Sequence, residues 1–314
     1  MKNYFKFNLT GQKLLPVWLA FYVLFLAPYV VIISQAKKIQ PGGGGDYSAY
    51  SYILPAILFL MLINFAITYF IAKLTIEGIE FKEKPVVFNG TFGRYVVVIL
   101  VGLFFSIITL GIYIPWFIRN VNRFFGNNSS LNDNPFEFKG KGGELFLILL
   151  VTFFIPYVII IAISTLYKLA NPSLAITGLI QLVTTFVMIP YMYYFYKWMV
   201  NLRYKGYSIV WETDSWEACG KMAGQIGLCV ITLGIYTPAA VIKLYKYFTE
   251  RTVAISETGK KKFNYDIEPM ADFLFLWGQT LLIIVTLGIY YPWASCKMVS
   301  RILGKTSLEE IEAA

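Results

Sequence analysis

Seven apolar runs alternate with polar linkers along this chain: Leu14–Ser34, Ser51–Ala72, Tyr95–Ile118, Glu144–Tyr167, Ser173–Tyr196, Ala218–Ile242 and Ala271–Ser295. About 20 apolar residues cross a bilayer as a helix. The pattern therefore predicts an all-α, polytopic membrane protein of about seven helical segments. Short β-strands are expected only in linkers such as TIEGIEF and NPFEFKG. The first run follows Lys2, Lys6 and Lys13. It exceeds the roughly 7–15 apolar residues of a signal peptide and reads as a retained span.

Three runs carry the same phrase, TLGIYIPW from Thr109, TLGIYTPA from Thr232 and TLGIYYPW from Thr286. A degraded copy, TTFVMIPY, starts at Thr184. The linkers FNGTFGRY and FKGKGGEL share an F-x-G-x-x-G lead-in, whose glycines suit a tight turn at the membrane surface. One membrane domain, 1–314, is expected, with repeat units of approximately 5–72, 88–125, 138–205, 211–248 and 263–303. Pro115, Pro238 and Pro292 each follow a glycine (Gly111, Gly234 and Gly288) by four residues. Proline presses on the carbonyl four residues back, and glycine tolerates the distortion. The motif thus predicts a kink or break near a membrane interface.

Composition agrees with a membrane setting: 57% of residues are hydrophobic, 18% aromatic and 14% charged, against about 25% charged in soluble domains. The net charge of +9 sits beside the apolar runs, so membrane lipids rather than nucleic acid are the expected partner. Arg119, Arg123, Lys243, Lys246, Lys297 and Arg301 follow the motif and read as lipid-headgroup anchors. Histidine is absent, which removes the histidine general base and HExxH zinc sites. Cys219, Cys229 and Cys296 lack CxxC spacing and read as inert apolar-segment thiols. No metal, cofactor or catalytic residue is expected, and the chain does not read as an enzyme.

Gln225, Thr232 and Tyr236 recur at the same spacing as Gln279, Thr286 and Tyr290. At 100° per residue each set lies on one helix face. The two stripes suit either interhelical hydrogen bonding or a shared polar cavity. Asp214 and Glu217 have capping-box spacing before the sixth run. Seven simple crossings divide the 27 lysines and arginines almost evenly between the two faces. If the three TLGIY segments instead dip in and return, only Lys37, Lys38 and Lys168 lie on the far side. Charge favours dipping, whereas span length favours seven crossings; the expectation taken is seven.

The lead-in FKGKGGELF followed by TLGIYxPW and a basic, aromatic exit resembles the YjgN-like family of bacterial inner-membrane proteins. The resemblance covers roughly 88–305 and departs at Ala239, where the motif tryptophan is missing. It implies a multi-pass protein of the bacterial inner membrane with no assigned activity. Repeats, broken helices and polar stripes together point to transport or permeation of a small or lipid-like solute. A non-catalytic scaffold or adaptor is the alternative, and a membrane-embedded enzyme comes last.

Overall fold

The computed structural model describes residues 2–36, 48–170, 174–257 and 259–311. A strand, a helical hairpin and a returning strand succeed one another five times. The first unit has β1 (Asn3–Phe7), α1 (Gly11–Phe21), a π-helical turn (Tyr22–Leu26), α2 (Ala27–Ala36), α3 (Ser48–Glu77) and β2 (Ile79–Phe81). The second has β3 (Lys84–Phe88), α4 (Phe92–Ile108), α5 (Ile114–Asn127) and β4 (Ser129–Leu131). In the third, β5 (Asn134–Phe138) leads into α6 (Gly142–Ile148), a π turn (Leu149–Phe154) and α7 (Ile155–Ala170). The chain then returns through α8 (Leu174–Val187), α9 (Ile189–Met199) and β6 (Leu202–Tyr204). The fourth has β7 (Tyr207–Trp211), α10 (Ser215–Ile231), α11 (Thr237–Thr249) and β8 (Thr252–Ser256). The fifth has β9 (Gly259–Tyr265), α12 (Pro269–Val285), α13 (Tyr291–Gly304) and β10 (Thr306–Ile311).

The ten strands close into one antiparallel barrel, each pairing with its sequence neighbours, and β1 closes the seam against β10. Three inter-unit connections are two-residue turns with both residues at positive φ: Lys82–Glu83, Asn132–Asp133 and Lys205–Gly206. That geometry matches the right-handed twist of the flanking strands. The helices also close into a ring, because the second helix of each unit packs on the first helix of the next and α13 packs on α1. Buried side chains gather at these five boundaries, for example Tyr69, Tyr95, Phe117 and Phe124 between the first and second units. Glycine permits the closest approaches. A Cβ on Gly11 would lie 2.6 Å from Trp293, and one on Gly142 would lie 2.5 Å from Trp116.

The all-α expectation is therefore overturned by the ten-stranded barrel, and seven spans reduce to four. Among the described residues the helices long and apolar enough to cross a membrane are Gly11–Ser34, Pro55–Glu77, Gly142–Tyr167 and Ile176–Met199. The runs Tyr95–Ile118, Ala218–Ile242 and Ala271–Ser295 each break into two shorter helices at TLGIY. The physical reason is local. Leu110, Leu233 and Leu287 take φ near +50°, and the following Gly111, Gly234 and Gly288 take φ of +91°, +87° and +87°. Two consecutive left-handed residues reverse the chain instead of kinking it. The degraded copy lacks the Leu-Gly pair, and α8 passes into α9 at Met188 with ordinary helical φ.

Candidate functional site

The repeated phrase is a hairpin tip in which each residue has a task. Thr109, Thr232 and Thr286 cap the first helix, and each hydroxyl donates to the carbonyl four residues back at 2.7 Å. The same oxygen accepts the amide of Tyr113, Tyr236 or Tyr290 at 3.0–3.1 Å, which starts the second helix. The glycine amide reaches the carbonyl five residues back at 2.7–2.8 Å, closing the terminus of the first helix. Pro115, Pro238 and Pro292 occupy the first turn of the second helix, where no amide hydrogen is needed. The motif leucines project outward, 93% exposed at Leu110 and Leu233 and 85% at Leu287.

Carbonyls released at two tips are met by side chains of the next unit in the ring. Trp18 donates to the Gly288 carbonyl at 3.0 Å and Tyr22 to the Leu287 carbonyl at 2.7 Å. Trp277 donates to the Ile235 carbonyl at 2.7 Å. None of these donors is signalled by the motif, because each comes from another unit.

The polar stripes close within their own hairpins. Tyr236 donates to Gln225 at 3.0 Å and accepts from Lys243 at 2.8 Å. Tyr290 donates to Gln279 at 3.4 Å and accepts from Lys297 at 2.8 Å. In the second unit Asn120 replaces the lysine and donates to Tyr113 at 3.3 Å. Among the described residues no hydrogen bond joins one stripe to the other, and α11 packs against both α10 and α12.

The basic exits divide in the same way. Arg123 is exposed, Arg119 bonds Asn120 at 2.9 Å, and Lys246 pairs with Glu250 at 3.5 Å. Arg301 turns inward and meets Asp272 at 2.7 Å, and Lys305 meets the same carboxylate at 2.5 Å. Asp272 is 2% exposed and also accepts the Glu268 amide. Burial alone would raise its pKa. The bonds from Lys305, the Glu268 amide and Arg301 outweigh that and hold it below the usual carboxylate range. Asp272 carries no signal in the sequence beyond being an acid in an apolar run. Asp214 caps α10 by accepting the Glu217 amide, as its spacing predicts.

Beneath the barrel, between α9, α11 and α13, lies an open cavity of about 750 Å³. Its walls include Phe5, Ile79, Trp211 and Phe263 from the strands and Met192, Met222, Val241 and Leu244 from the helices. Among the described residues no charged side chain lines it; its polar groups include the hydroxyls of threonines and tyrosines such as Thr249, Thr306 and Tyr245. Side chains alternate across a strand, so the residues two positions from these wall residues share the lumen face. Phe81 opposes Phe5 in register, with ring centroids 4.7 Å apart, and Phe136 opposes Tyr204 at 4.8 Å. The lumen is therefore aromatic and continuous with the cavity. Sequence reasoning missed this site because its walls come from four of the five units. Among the described residues no cluster of histidine, cysteine and acidic side chains could hold a metal ion.

The profile of the family described as "Bacterial protein of unknown function (DUF898)" matches residues 83–277. A protein of Salmonella typhimurium strain LT2 named inner membrane protein YjgN is 35% identical over 114 residues, covering 36% of this chain and 28% of that protein. Proteins of the same name from Escherichia coli O157:H7 and strain K12 are 33% and 32% identical over 108 residues, each covering 34% of this chain and 27% of the relative. This chain thus spans little more than a quarter of the length of these relatives. No solved structure matches. With four apolar helices of crossing length and relatives so named, this is an integral membrane protein. By a profile that matches well over half of its residues, the chain belongs to the bacterial DUF898 family, whose function is unknown.

Proposed function

We propose that this is a multi-pass inner-membrane protein that takes a lipid-like amphiphile from the bilayer into the cavity beneath the barrel and passes it toward the lumen. The observation that carries this reading is the cavity, about 750 Å³ and free of charged walls. Ligand pockets span roughly 300–1,000 Å³. An apolar lining suits hydrocarbon and lacks the rings of charge or carbonyls that conduct ions.

The accompanying topology has the two long hairpins spanning the bilayer and the three TLGIY hairpins dipping in and returning. α3 has 30 residues and α4 has 17, about 45 and 25 Å at 1.5 Å per residue. Tips that project leucine and isoleucine suit hydrocarbon rather than water. At two of the three tips freed carbonyls find protein donors, as backbone at membrane depth requires. Among the described residues Lys168 is the one cation at a hairpin end away from the barrel, so the positive-inside bias favours a cytoplasmic barrel. Above the short hairpins lipid can approach the cavity directly.

The test is binding of a fluorophore-tagged fatty-acid methyl ester to the full chain in neutral-lipid nanodiscs. Met192 and Val241 line the cavity and are exposed, so Met192→Trp and Val241→Trp fill it without entering a packed core. The ester should bind the wild type, weaken about tenfold or more in the filled variants, and cross proteoliposomes in the same order. Undiminished binding by folded, filled variants sinks the proposal. Neither binding nor flux in any form would favour a scaffold.

A further inference from the structure

The mouth of the barrel, at the end away from the helices, is built from the two-residue turns between units. Lys82 and Lys205 lie in two of those turns, and each ammonium folds back over an aromatic ring on the lumen face. Lys82 stands 5.8 Å from the Phe81 ring and Lys205 5.7 Å from the Tyr204 ring. Lys261 on β9 shares the lumen face with Phe263 and lies 5.0 Å from the Tyr207 ring. Three strand pairs thus each aim a cation at one aromatic opening. Lysines on a solvated rim normally extend into water; over a ring they gain a cation–π contact and stay poised above the lumen.

The carboxylates nearby are accounted for. Glu310 opposes Lys261 in register and pairs with it at 2.6 Å. Glu83 and Asp133 share the turns and are exposed. Lys84, on the lumen face opposite Phe81, bonds the Asn132 side chain. One carboxylate, Glu310, thus serves Lys261 by direct contact and Lys82 through its field, so the three lysines keep an excess of positive charge. The cavity below is lined by no charged side chain among the described residues. Apolar depth with cations at one end is the outline of an anionic amphiphile, its chain in the cavity and its head at the mouth.

We infer that the barrel mouth selects a single-chain amphiphile with an anionic head, a carboxylate or a phosphate, through Lys82, Lys205 and Lys261. This rests on the cavity reading and adds the chemistry of the head. The experiment compares a tagged long-chain fatty acid with its methyl ester on the full chain in neutral-lipid nanodiscs. It uses the wild type and a variant combining Lys82→Gln, Lys205→Gln, Lys261→Gln and Glu310→Gln, the last avoiding an orphaned carboxylate. The exposed Lys205→Glu alone serves as a second variant. The wild type should bind the acid about tenfold more tightly than the ester, a preference that falls with salt. The combined variant should lose that preference and keep its affinity for the ester, and Lys205→Glu should reduce it. Displacement of the acid by lysophosphatidic acid but not by lysophosphatidylcholine would assign the head to phosphate as well as carboxylate. Equal binding of acid and ester by the wild type, or a preference that survives in the combined variant, overturns the inference and leaves the cavity reading standing. No binding of either probe removes both.

Discussion

Three tips with one backbone geometry and different surroundings allow the turn and its neighbour to be weighed separately. Alanine at Gly234 or Gly288 must adopt φ of +87°, at about 1–2 kcal/mol. At Gly234 the added Cβ meets only Thr237 at 3.8 Å, so strain is the whole cost. At Gly288 it would lie 2.3 Å from the Tyr22 oxygen, which donates to the Leu287 carbonyl at 2.7 Å. The phenol must leave, which forfeits a bond of about 1 kcal/mol or strands a carbonyl at about 1–3 kcal/mol. Gly288→Ala should therefore cost about 1–3 kcal/mol more than Gly234→Ala. Tyr22→Phe removes the obstructing oxygen, and the next atom, Cζ, is an ordinary 3.6 Å away. In that background the excess should vanish. Reversible unfolding of the four members of the cycle in mixed micelles measures it. Equal costs at the two glycines, or strict additivity of Gly288→Ala with Tyr22→Phe, would refute the assignment of Tyr22 to that tip.

Asp272→Asn leaves Arg301 and Lys305 beside a neutral group and should destabilise by about 3 kcal/mol; a loss in thermal midpoint no larger than that of a surface substitution would contradict it. At the seam, hydrogen bonds from Tyr4 and Lys2 hold Asp266 below the usual carboxylate range, and the Asn264 amide does the same for Glu309. Because these folded-state pKa values are depressed, their stabilisation is present at neutral pH and fades as pH falls through them. Amide exchange in β1 should therefore accelerate at acid pH, after correction for intrinsic rates, before it does in β3, which carries no acidic residue; simultaneous loosening would argue against a seam clasp. In a background lacking the native cysteines, Asn128→Cys and Gly259→Cys should label equally from the cytoplasmic face, and Leu233→Cys from neither. Labelling of the first two from opposite faces would restore the seven-crossing arrangement.

What the sequence discloses follows from where each signal is local. Apolar run length, the TLGIYxP phrase and the basic exits are short-range, and they locate the hairpins. The turn is hidden because its residues are apolar: Leu110 and Ile112 replace the polar residues that mark turns in water. The strands IEF and NPFEF sit in linkers flagged for strands, yet β2 and β4 have three residues each, too short for alternation to register. Barrel closure depends on β1 meeting β10, a pairing no local pattern can announce. The cavity inherits that difficulty, since Phe5 and Met192 reach the same wall only after the ring has closed.

The seam has a temporal side as well. β1 and β10 lie at Asn3–Phe7 and Thr306–Ile311, and ribosomes add about 5–20 residues per second. For about 15–60 s after β1 emerges, its partner does not exist. Its other neighbour, β2, is also withheld until the first long hairpin has inserted. Throughout that interval β1 presents an unpaired edge bearing Phe5 and Phe7, the kind of edge that recruits foreign strands. Nascent chains stalled before β10 should accordingly be the species that chaperones hold, and release of the final strand should be the event that frees them.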